Sequence, residues 1–232
     1  MTRSVIILQA RMASERLRGK VLAPIGARSM LAHCIARLRI GAAAPVMVAT
    51  TTNAEDDCLA AIGARYDVPV FRGPSEDVLS RFVMAARSVG AQYVVRATAD
   101  NPAIDIGGAG RLLAHLQSVR ADYAIEDGLP YGAAVEAMTF DALSRAAIHA
   151  TEAADREHVT PLIRRDRVRF RPVSIPAPGP VRRPDIRVTV DTDQDLAFMR
   201  QIGSRLDDWS GEPELREILD AADRLSLEQR CA

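Results

Sequence analysis

The chain opens with Ser4-Val-Ile-Ile-Leu-Gln9, and Ala10-Arg-Met-Ala-Ser-Glu-Arg-Leu-Arg-Gly-Lys20 follows at once. A short apolar run rich in β-branched residues predicts a buried strand. The polar segment after it predicts a loop at the carboxyl end of that strand. Because open α/β sheets bind their ligands at this edge, we expect the loop to belong to a binding site.

The loop is strongly basic. It holds the cations Arg11, Arg16, Arg18 and Lys20 and the hydroxyl of Ser14 within ten positions. Guanidinium groups and free backbone amides are the donors that phosphate oxygens accept from, so the composition predicts a polyphosphate site. The spacing is not that of a P-loop. A solvated basic surface remains the alternative interpretation.

Composition limits the kinds of partner. The 232 residues, 48% of them apolar, favour a single domain over residues 1–232. Lys+Arg and Asp+Glu balance at 30 each, so no overall field favours nucleic acid or an anionic membrane as a partner. No apolar run approaches the roughly 20 residues that span a bilayer, and the first one is too short for a secretory segment. With three cysteines in no metal-binding spacing, we expect a cytoplasmic location.

Strands and helices are expected to alternate along the chain. Helical spacing over residues 29–38 is followed by an apolar strand at 45–49, and a helix at 54–63 precedes a strand at 68–71. Ser75 is a candidate N-cap for the next helix. This alternation predicts an α/β fold with a mostly parallel sheet and helices on both faces.

Asp100 directly follows a predicted strand over residues 92–99 and precedes Asn101 and Pro102. In a parallel sheet this position lies at the same edge as the basic loop. Mg²⁺ is typically bound by one or two carboxylates together with phosphate oxygens and water, so Asp100 is a candidate ligand. A plain Asp-Asn turn is the alternative.

A second acidic segment follows a predicted strand over residues 186–190. Asp193 and Asp195 fit the first turn of a helix, where carboxylates complement the helix dipole. Asp191 lies one step earlier, at the end of the strand. Residues 167–171, with alternating arginines, are predicted to form a further strand.

Five segments together resemble the sugar-activating cytidylyltransferases of the spore-coat-polysaccharide type, which are related to CMP-Kdo synthetase and acylneuraminate cytidylyltransferase. The segments are Gln9-Ala-Arg-Met-Ala-Ser-Glu-Arg-Leu-Arg-Gly-Lys20, Arg72-Gly-Pro-Ser-Glu-Asp-Val-Leu-Ser-Arg81, Val94-Val-Arg-Ala-Thr-Ala-Asp-Asn-Pro102, Arg156-Glu-His-Val-Thr-Pro161 and Val190-Asp-Thr-Asp-Gln-Asp-Leu196. The resemblance implies a Rossmann-like nucleotidyltransferase sheet with a small β-rich dimerisation arm at about residues 121–174. It also implies a homodimer and Mg²⁺-dependent transfer of CMP from CTP to an acceptor, with release of pyrophosphate.

The resemblance also assigns roles to individual residues. The implied nucleotide-binding residues are Gln9, Ala10, Arg11, Ser14, Arg16, Lys20, Arg72, Gly73 and Thr98. The implied catalytic residues are Lys20, Arg16, Asp100 and Asp191, of which the two aspartates would hold Mg²⁺. The implied acceptor-binding residues are Arg96, Glu136, Arg156, Glu157 and His158.

One segment departs from the family pattern. In Pro130-Tyr-Gly-Ala-Ala-Val-Glu136, Ala133 and Ala134 stand where the family has Leu and Asp. The acceptor is therefore open between a nonulosonic or octulosonic acid, another sugar acid, and a phosphate- or phosphonate-bearing metabolite. Two other functions are weighed against this one: a nucleotide-binding relative without turnover, and a nucleotide-sugar-dependent glycosyltransferase that uses Asp191-Thr-Asp193.

Overall fold

The computed structural model describes residues 3–209 and 211–231, and in them a seven-stranded sheet with the strand order β5-β4-β1-β6-β8-β7-β9. The strands are β1 (Ser4–Gln9), β2 (Pro24–Ile25), β3 (Arg28–Ser29), β4 (Val46–Thr51), β5 (Val70–Gly73), β6 (Tyr93–Thr98), β7 (Tyr123–Asp127), β8 (Glu136–Thr139) and β9 (Pro172–Pro176). The short strands β2 and β3 form a separate hairpin.

Helices alternate with strands in the first part of the chain. The helices are α1 (Met30–Ile40), α2 (Asp57–Arg65), α3 (Val78–Ser88), α4 (Gly108–Val119), α5 (Phe140–His149), α6 (Ala153–His158), α7 (Pro161–Arg165), α8 (Asp193–Ser204) and α9 (Leu215–Cys231). In the later part, α5, α6 and α7 follow one another directly, as do α8 and α9. A three-residue 3₁₀ helix, Lys20–Leu22, ends the basic loop.

The sheet is mostly parallel, as the alternation predicts. β1 pairs in parallel with β4 on one side and β6 on the other, and Gln9 lies opposite Thr98 in the register. β8 is antiparallel to both of its neighbours. The carboxyl ends of β1, β4 and β6 therefore meet at one edge, which brings the loops that follow them together.

Alternating side chains of the strands bury both faces of the sheet. One face packs on α1, α2 and α4 through Ile6, Leu8, Val48, Leu31, Leu59 and Leu112. The other face packs on α3, α5 and α7 through Val5, Ile7, Met47, Phe82, Leu143 and Ile163. A third cluster joins α8 and α9 to the segment after β9 through Val188, Val190, Met199, Ile202, Trp209 and Leu219.

The segment 121–174 differs from the β-rich arm that was expected. Its strands β7, β8 and β9 belong to the main sheet, and its middle forms the helices α5, α6 and α7. β8 takes an interior position because it buries side chains on both faces, including Ala137 and Met138.

Two predicted strands are wrong. At residues 167–171 the carboxylate of Asp166 accepts the amides of Val168 and Arg169, which closes a turn, so β9 begins only at Pro172. Residues 186–190 form no ladder beyond a single bridge between Tyr131 and Arg187. The amides of Val188 and Val190 donate instead to the carbonyls of Tyr131 and Asp100 in neighbouring loops.

The predicted cap of α3 is also wrong. Asp77, not Ser75, is the N-cap, and its carboxylate accepts the amide of Ser80 at 2.9 Å and the hydroxyl of Ser80 at 2.8 Å. An ionised carboxylate satisfies both donors at once, which a serine hydroxyl does less well. Within the described residues, no helix is long and apolar enough to cross a membrane.

Gly132 allows two loops to approach closely. Its φ is +101°, and a Cβ there would lie 2.5 Å from the amide nitrogen and 2.8 Å from the Cα of Thr189. The residue before it, Tyr131, donates its amide to the carbonyl of Ile186, and its own carbonyl accepts the amide of Val188. Only glycine permits this contact, which fixes the chain leading to Asp191.

We expect Gly132→Ala to lower the free energy of unfolding by about 2–3 kcal/mol, because it combines an unfavourable φ with a backbone clash. Gly179→Ala is the matched control, since a Cβ at that position meets no atom within 4 Å. Urea unfolding of both variants tests this. Equal stabilities would mean that the two loops can separate at no cost.

Candidate active site

The basic loop is folded back on itself by the carbonyl of Met12. This oxygen accepts the amide of Ser14 at 3.0 Å and that of Gly19 at 2.9 Å. Gly19 is left-handed, with φ 70°, and this conformation turns the chain into the 3₁₀ helix that begins at Lys20. The side chain of Lys20 is thereby directed into the protein and is only 10% exposed.

The Lys20 ammonium joins the two carboxylates that were predicted to share a metal. Its Nζ lies 3.2 Å from Oδ2 of Asp100, 2.9 Å from Oδ1 of Asp191 and 2.8 Å from the carbonyl oxygen of Val190. An ammonium has three N–H donors, so all of them are used. The structure thus brings Lys20, Asp100 and Asp191 together from three distant parts of the chain.

Asp191 is held by two further cations. Arg16 Nη2 lies 2.8 Å from Oδ1, and Arg187 Nη2 lies 2.6 Å from Oδ2. Burial alone would raise the pKa of the Asp191 carboxyl, but Lys20, Arg187 and Arg16 together lower it below its usual range. Asp191 therefore stays ionised, as a metal ligand must.

The carboxylates of Asp100 and Asp191 are a donor set that would suit Mg²⁺. Within the described residues, no group of three or more His, Cys, Asp or Glu side chains is placed to hold a metal. Mg²⁺ does not need one, because it is commonly held by one or two carboxylates with phosphate oxygens and water filling the remaining positions. Because the Lys20 ammonium contacts both Asp100 and Asp191, one oxygen of each carboxylate can contact the same cation.

The other loop cations point in different directions. Arg11 lies 3.6 Å from Glu157 and is 29% exposed, so its guanidinium is available at the edge of the site. Arg18 turns away from the carboxylates and pairs with Glu55 at 2.7 Å. Ala10 is buried and Ser14 is half-buried. The predicted four-cation cradle is thus divided, with Arg16 and Lys20 on one side.

Asp56 holds the basic loop in place through a hydrogen bond to Met12, a role that the sequence did not reveal. Its Oδ1 accepts the amide of Met12 at 2.7 Å, and its Oδ2 accepts the amide and hydroxyl of Thr51. Burial would raise the pKa of Asp56, but these hydrogen bonds lower it below its ordinary value. By pattern, Asp56 was only one of three acidic residues at the start of a helix.

Arg72 and Gly73, expected to contact the base, lie at the end of β5. Arg72 donates to the carbonyls of Thr51 and Asn53, each at 2.9 Å, and pairs with Asp57 at 2.6 Å. It therefore supports the loop after β4. Gly73 is closely packed, since a Cβ would lie 3.0 Å from a ring carbon of Phe71.

Arg81, at the end of the same sequence segment, is fully buried. Its Nη1 donates to the carbonyls of Pro74 and Ser75, whereas its Nε and Nη2 have no partner in the described part of the chain. Burial and the nearby charge of Arg11 lower the pKa of Arg81 to about 10. Nothing in its helical spacing distinguishes Arg81 from a surface cation.

Arg96 and Glu136, expected at the acceptor side, form a buried ion pair on β6 and β8. Their closest N–O distance is 2.6 Å, and Glu136 also accepts the hydroxyls of Tyr123 at 2.5 Å and Thr160 at 2.8 Å. Burial would raise the pKa of Glu136, but Arg96 and the two hydroxyls lower it below its usual value. A second nitrogen of Arg96 lies 3.5 Å from the amide oxygen of Gln9.

Thr98, the last residue of β6, accepts the side-chain amide of Asn101 at 2.8 Å. Asn101 is part of the turn that carries Asp100. Through this hydrogen bond, Thr98 helps to orient the turn.

The segment around α6 has both structural and exposed members. Arg156 pairs with Asp77 at 2.7 Å and donates to the carbonyl of Ala150, so it links α6 to the cap of α3. Glu157 and His158 are exposed. Val159 has φ 72° and ψ −50°, a strained γ-turn for a β-branched residue. Strain of this kind is common near functional sites.

Comparisons with known proteins show the family of this chain. The sequence pattern of the family described as cytidylyltransferase matches residues 5–225. The spore coat polysaccharide biosynthesis protein SpsF of Bacillus subtilis is 33% identical over 213 residues, which cover 88% of this chain and 89% of the relative.

Two solved structures have the same fold. A cytidylyltransferase from Leptospira borgpetersenii superposes with a TM-score of 0.88 at 24% identity, covering 97% of this chain and 96% of that one. A CMP-2-keto-3-deoxy-manno-octonic acid synthetase complexed with CTP gives a TM-score of 0.64 at 18% identity, with coverage of 88% and 100%. With a family match that spans nearly the whole sequence, the chain belongs to the cytidylyltransferase family.

Proposed function

We propose that the protein is an Mg²⁺-dependent enzyme that transfers CMP from CTP to an acceptor and releases pyrophosphate. The observation that supports this most is the meeting of Lys20, Asp100 and Asp191 at the carboxyl edge of β1 and β6, with Arg16 beside them. This edge is where α/β sheets bind nucleotides. The family match supports the same conclusion.

The reaction requires neutralisation of charge more than covalent chemistry. In-line attack of the acceptor's hydroxyl on the α-phosphorus breaks the bond from that phosphorus to the α,β-bridging oxygen, and negative charge accumulates on the departing pyrophosphate. Lys20 and Arg16 are placed to neutralise that charge. Mg²⁺ held by Asp100 and Asp191 would polarise the α-phosphate and lower the pKa of the attacking hydroxyl.

We propose that the remaining nucleotide contacts come from Gln9, Ala10, Arg11, Ser14, Arg72, Gly73 and Thr98. Gln9, Ala10 and Thr98 lie at the adjoining ends of β1 and β6. Arg72 and Gly73 would act through the loops after β4 and β5, because the guanidinium of Arg72 is already bonded to backbone carbonyls there.

The acceptor is proposed to be a sugar acid of the nonulosonic or octulosonic type. Arg96, Glu136, Glu157 and His158 lie on the α3 and α6 side of the sheet, next to Gln9 and Arg11. Because Arg96 is already paired with Glu136, it would meet the acceptor's carboxylate as part of this ion pair. Ala133 and Ala134, which stand where the family pattern has Leu and Asp, pack in the third core cluster. Apolar packing therefore replaces the carboxylate of that Asp.

A homodimer is proposed through the segment 121–174. Two large apolar side chains of this segment lie on the surface: Val168 is 97% exposed and Ile148 is 75% exposed. Their exposure is consistent with burial against a second copy of the chain.

We expect CTP, in the presence of Mg²⁺, to stabilise the fold more than ATP, GTP or UTP does. A ligand that binds only the native state at 100 times its Kd adds about 3 kcal/mol to the free energy of unfolding. Thermal unfolding with each of the four nucleotides at equal concentration measures this. Equal stabilisation by ATP or GTP would contradict the preference for cytidine.

We expect Asp100→Asn and Asp191→Asn each to reduce kcat by about 100-fold, corresponding to the roughly 3 kcal/mol that other preorganised charges contribute to a transition state. Asp193→Asn is the matched control, because Asp193 is exposed and lies two residues from Asp191. Rates of pyrophosphate release and melting curves separate lost activity from lost folding. Near-normal turnover in either of the first two variants would place the metal elsewhere.

A further inference from the structure

The Lys20 ammonium lies where a metal shared by Asp100 and Asp191 would lie. It contacts one oxygen of each carboxylate, at 3.2 Å and 2.9 Å, and a third acceptor, the carbonyl of Val190, at 2.8 Å. Only a tenth of its side chain is exposed. Lys20 is therefore a buried counter-ion of the two carboxylates, and each of its three N–H donors has an acceptor.

A divalent cation cannot share this position with the ammonium. Mg²⁺ binds carboxylate oxygens at about 2.0–2.1 Å in a strict octahedron, so an ion that bridges the same two oxygens would occupy the space of the Nζ atom. The two cations would also repel each other at short range. For a metal to bind these two oxygens, the ammonium must leave. The guanidinium of Arg16, which lies 2.8 Å from the same Oδ1 of Asp191 and is 66% exposed, must turn away with it.

We propose that the Lys20 ammonium closes the Asp100–Asp191 pair in the nucleotide-free protein, so that a divalent cation binds the pair tightly only after a polyphosphate draws the ammonium away. This inference rests on the proposed function, because it assumes that the pair is the metal site. It adds to that function an order of binding, in which the nucleotide binds first and the metal second.

The surroundings allow Lys20 to leave while Asp191 stays in place. Lys20 directly follows Gly19, and much of the preceding loop is exposed, with Arg16 66% exposed. Arg187 grips the other oxygen of Asp191, Oδ2, at 2.6 Å and also contacts Asp195 at 3.1 Å. Tyr131 lies on the Arg187 guanidinium, with 4.8 Å between its ring centroid and Cζ. Asp191 therefore keeps a fixed orientation after Lys20 departs.

Linkage makes the effect reciprocal. If the nucleotide raises the affinity for the divalent cation by a given factor, the cation raises the affinity for the nucleotide by the same factor. Lys20 would be the element that both ligands act on, since one removes it from the carboxylates and the other replaces it there.

The test measures binding of Mn²⁺ to the nucleotide-free protein, with free Mn²⁺ followed by electron paramagnetic resonance. Lys20→Met should bind Mn²⁺ about tenfold or more tightly than the wild type, a change within the usual range of coupling between sites. The matched control is Arg18→Met, which removes one cation from the same loop but a cation that pairs with Glu55. It should leave the Kd for Mn²⁺ within twofold of the wild-type value.

An unchanged Kd in a folded Lys20→Met protein would overturn the proposal, as would an equal gain in Arg18→Met. If Lys20→Met unfolds, Asp100→Asn gives an independent test. Without nucleotide, Asp100→Asn should leave the weak Mn²⁺ binding unchanged. Lys20 already keeps the metal from the two carboxylates in the wild type, so loss of one carboxylate removes no metal site that was in use. A tenfold loss in Asp100→Asn would mean that the pair is already open in the wild type, and the proposal would fail.

These outcomes are separate from failure of the proposed function. Stabilisation by CTP and release of pyrophosphate can be retained while Lys20→Met shows no gain in Mn²⁺ affinity, and then only the order of binding is wrong. If neither CTP nor Mn²⁺ binds under any condition, the proposed function itself fails.

Discussion

The Lys20 ammonium, seated between Asp100 and Asp191, is the contact on which the site depends. It ties together a loop after the first strand, a turn after β6 and the segment before α8. Asp100 and Asp191 follow Lys20 by 80 and 171 positions along the chain. Three charged groups at one sheet edge are stable together only when their charges alternate. Without Lys20, the carboxylates of Asp100 and Asp191 would lie near each other with no ammonium between them.

Backbone hydrogen bonds of residues 186–190 bring Asp191 to this contact. Its residues do not extend the sheet, yet Val188 donates to Tyr131 and Val190 donates to the carbonyl of Asp100 at 2.8 Å. Buried amides must find acceptors, and here they find them in two loops at the sheet edge. As a result, Asp191 stands beside Asp100 without belonging to a neighbouring strand.

Much of the fold could be predicted because it depends on local patterns. Alternating apolar strands and amphipathic helices give the parallel sheet, and strand ends place Asp100 and Lys20 at one edge. The sequence could not show which partner each charge takes. Asp56, Arg81 and Arg187 look like ordinary surface charges by spacing, and only the folded chain brings them to Met12, Pro74 and Asp191. The strand predicted at residues 167–171 failed because a local carboxylate, Asp166, outcompeted the ladder for backbone amides.

The central claim is that this sheet edge transfers a cytidylyl group. It is tested most directly by incubating the protein with Mg²⁺, a panel of sugar acids and CTP carrying an isotopic label on its α-phosphate, with the products identified by mass spectrometry. We predict that the label appears in an acceptor–CMP conjugate, with one pyrophosphate released for each conjugate formed. Label recovered only as unreacted CTP or free CMP, with every acceptor in the panel, would contradict it.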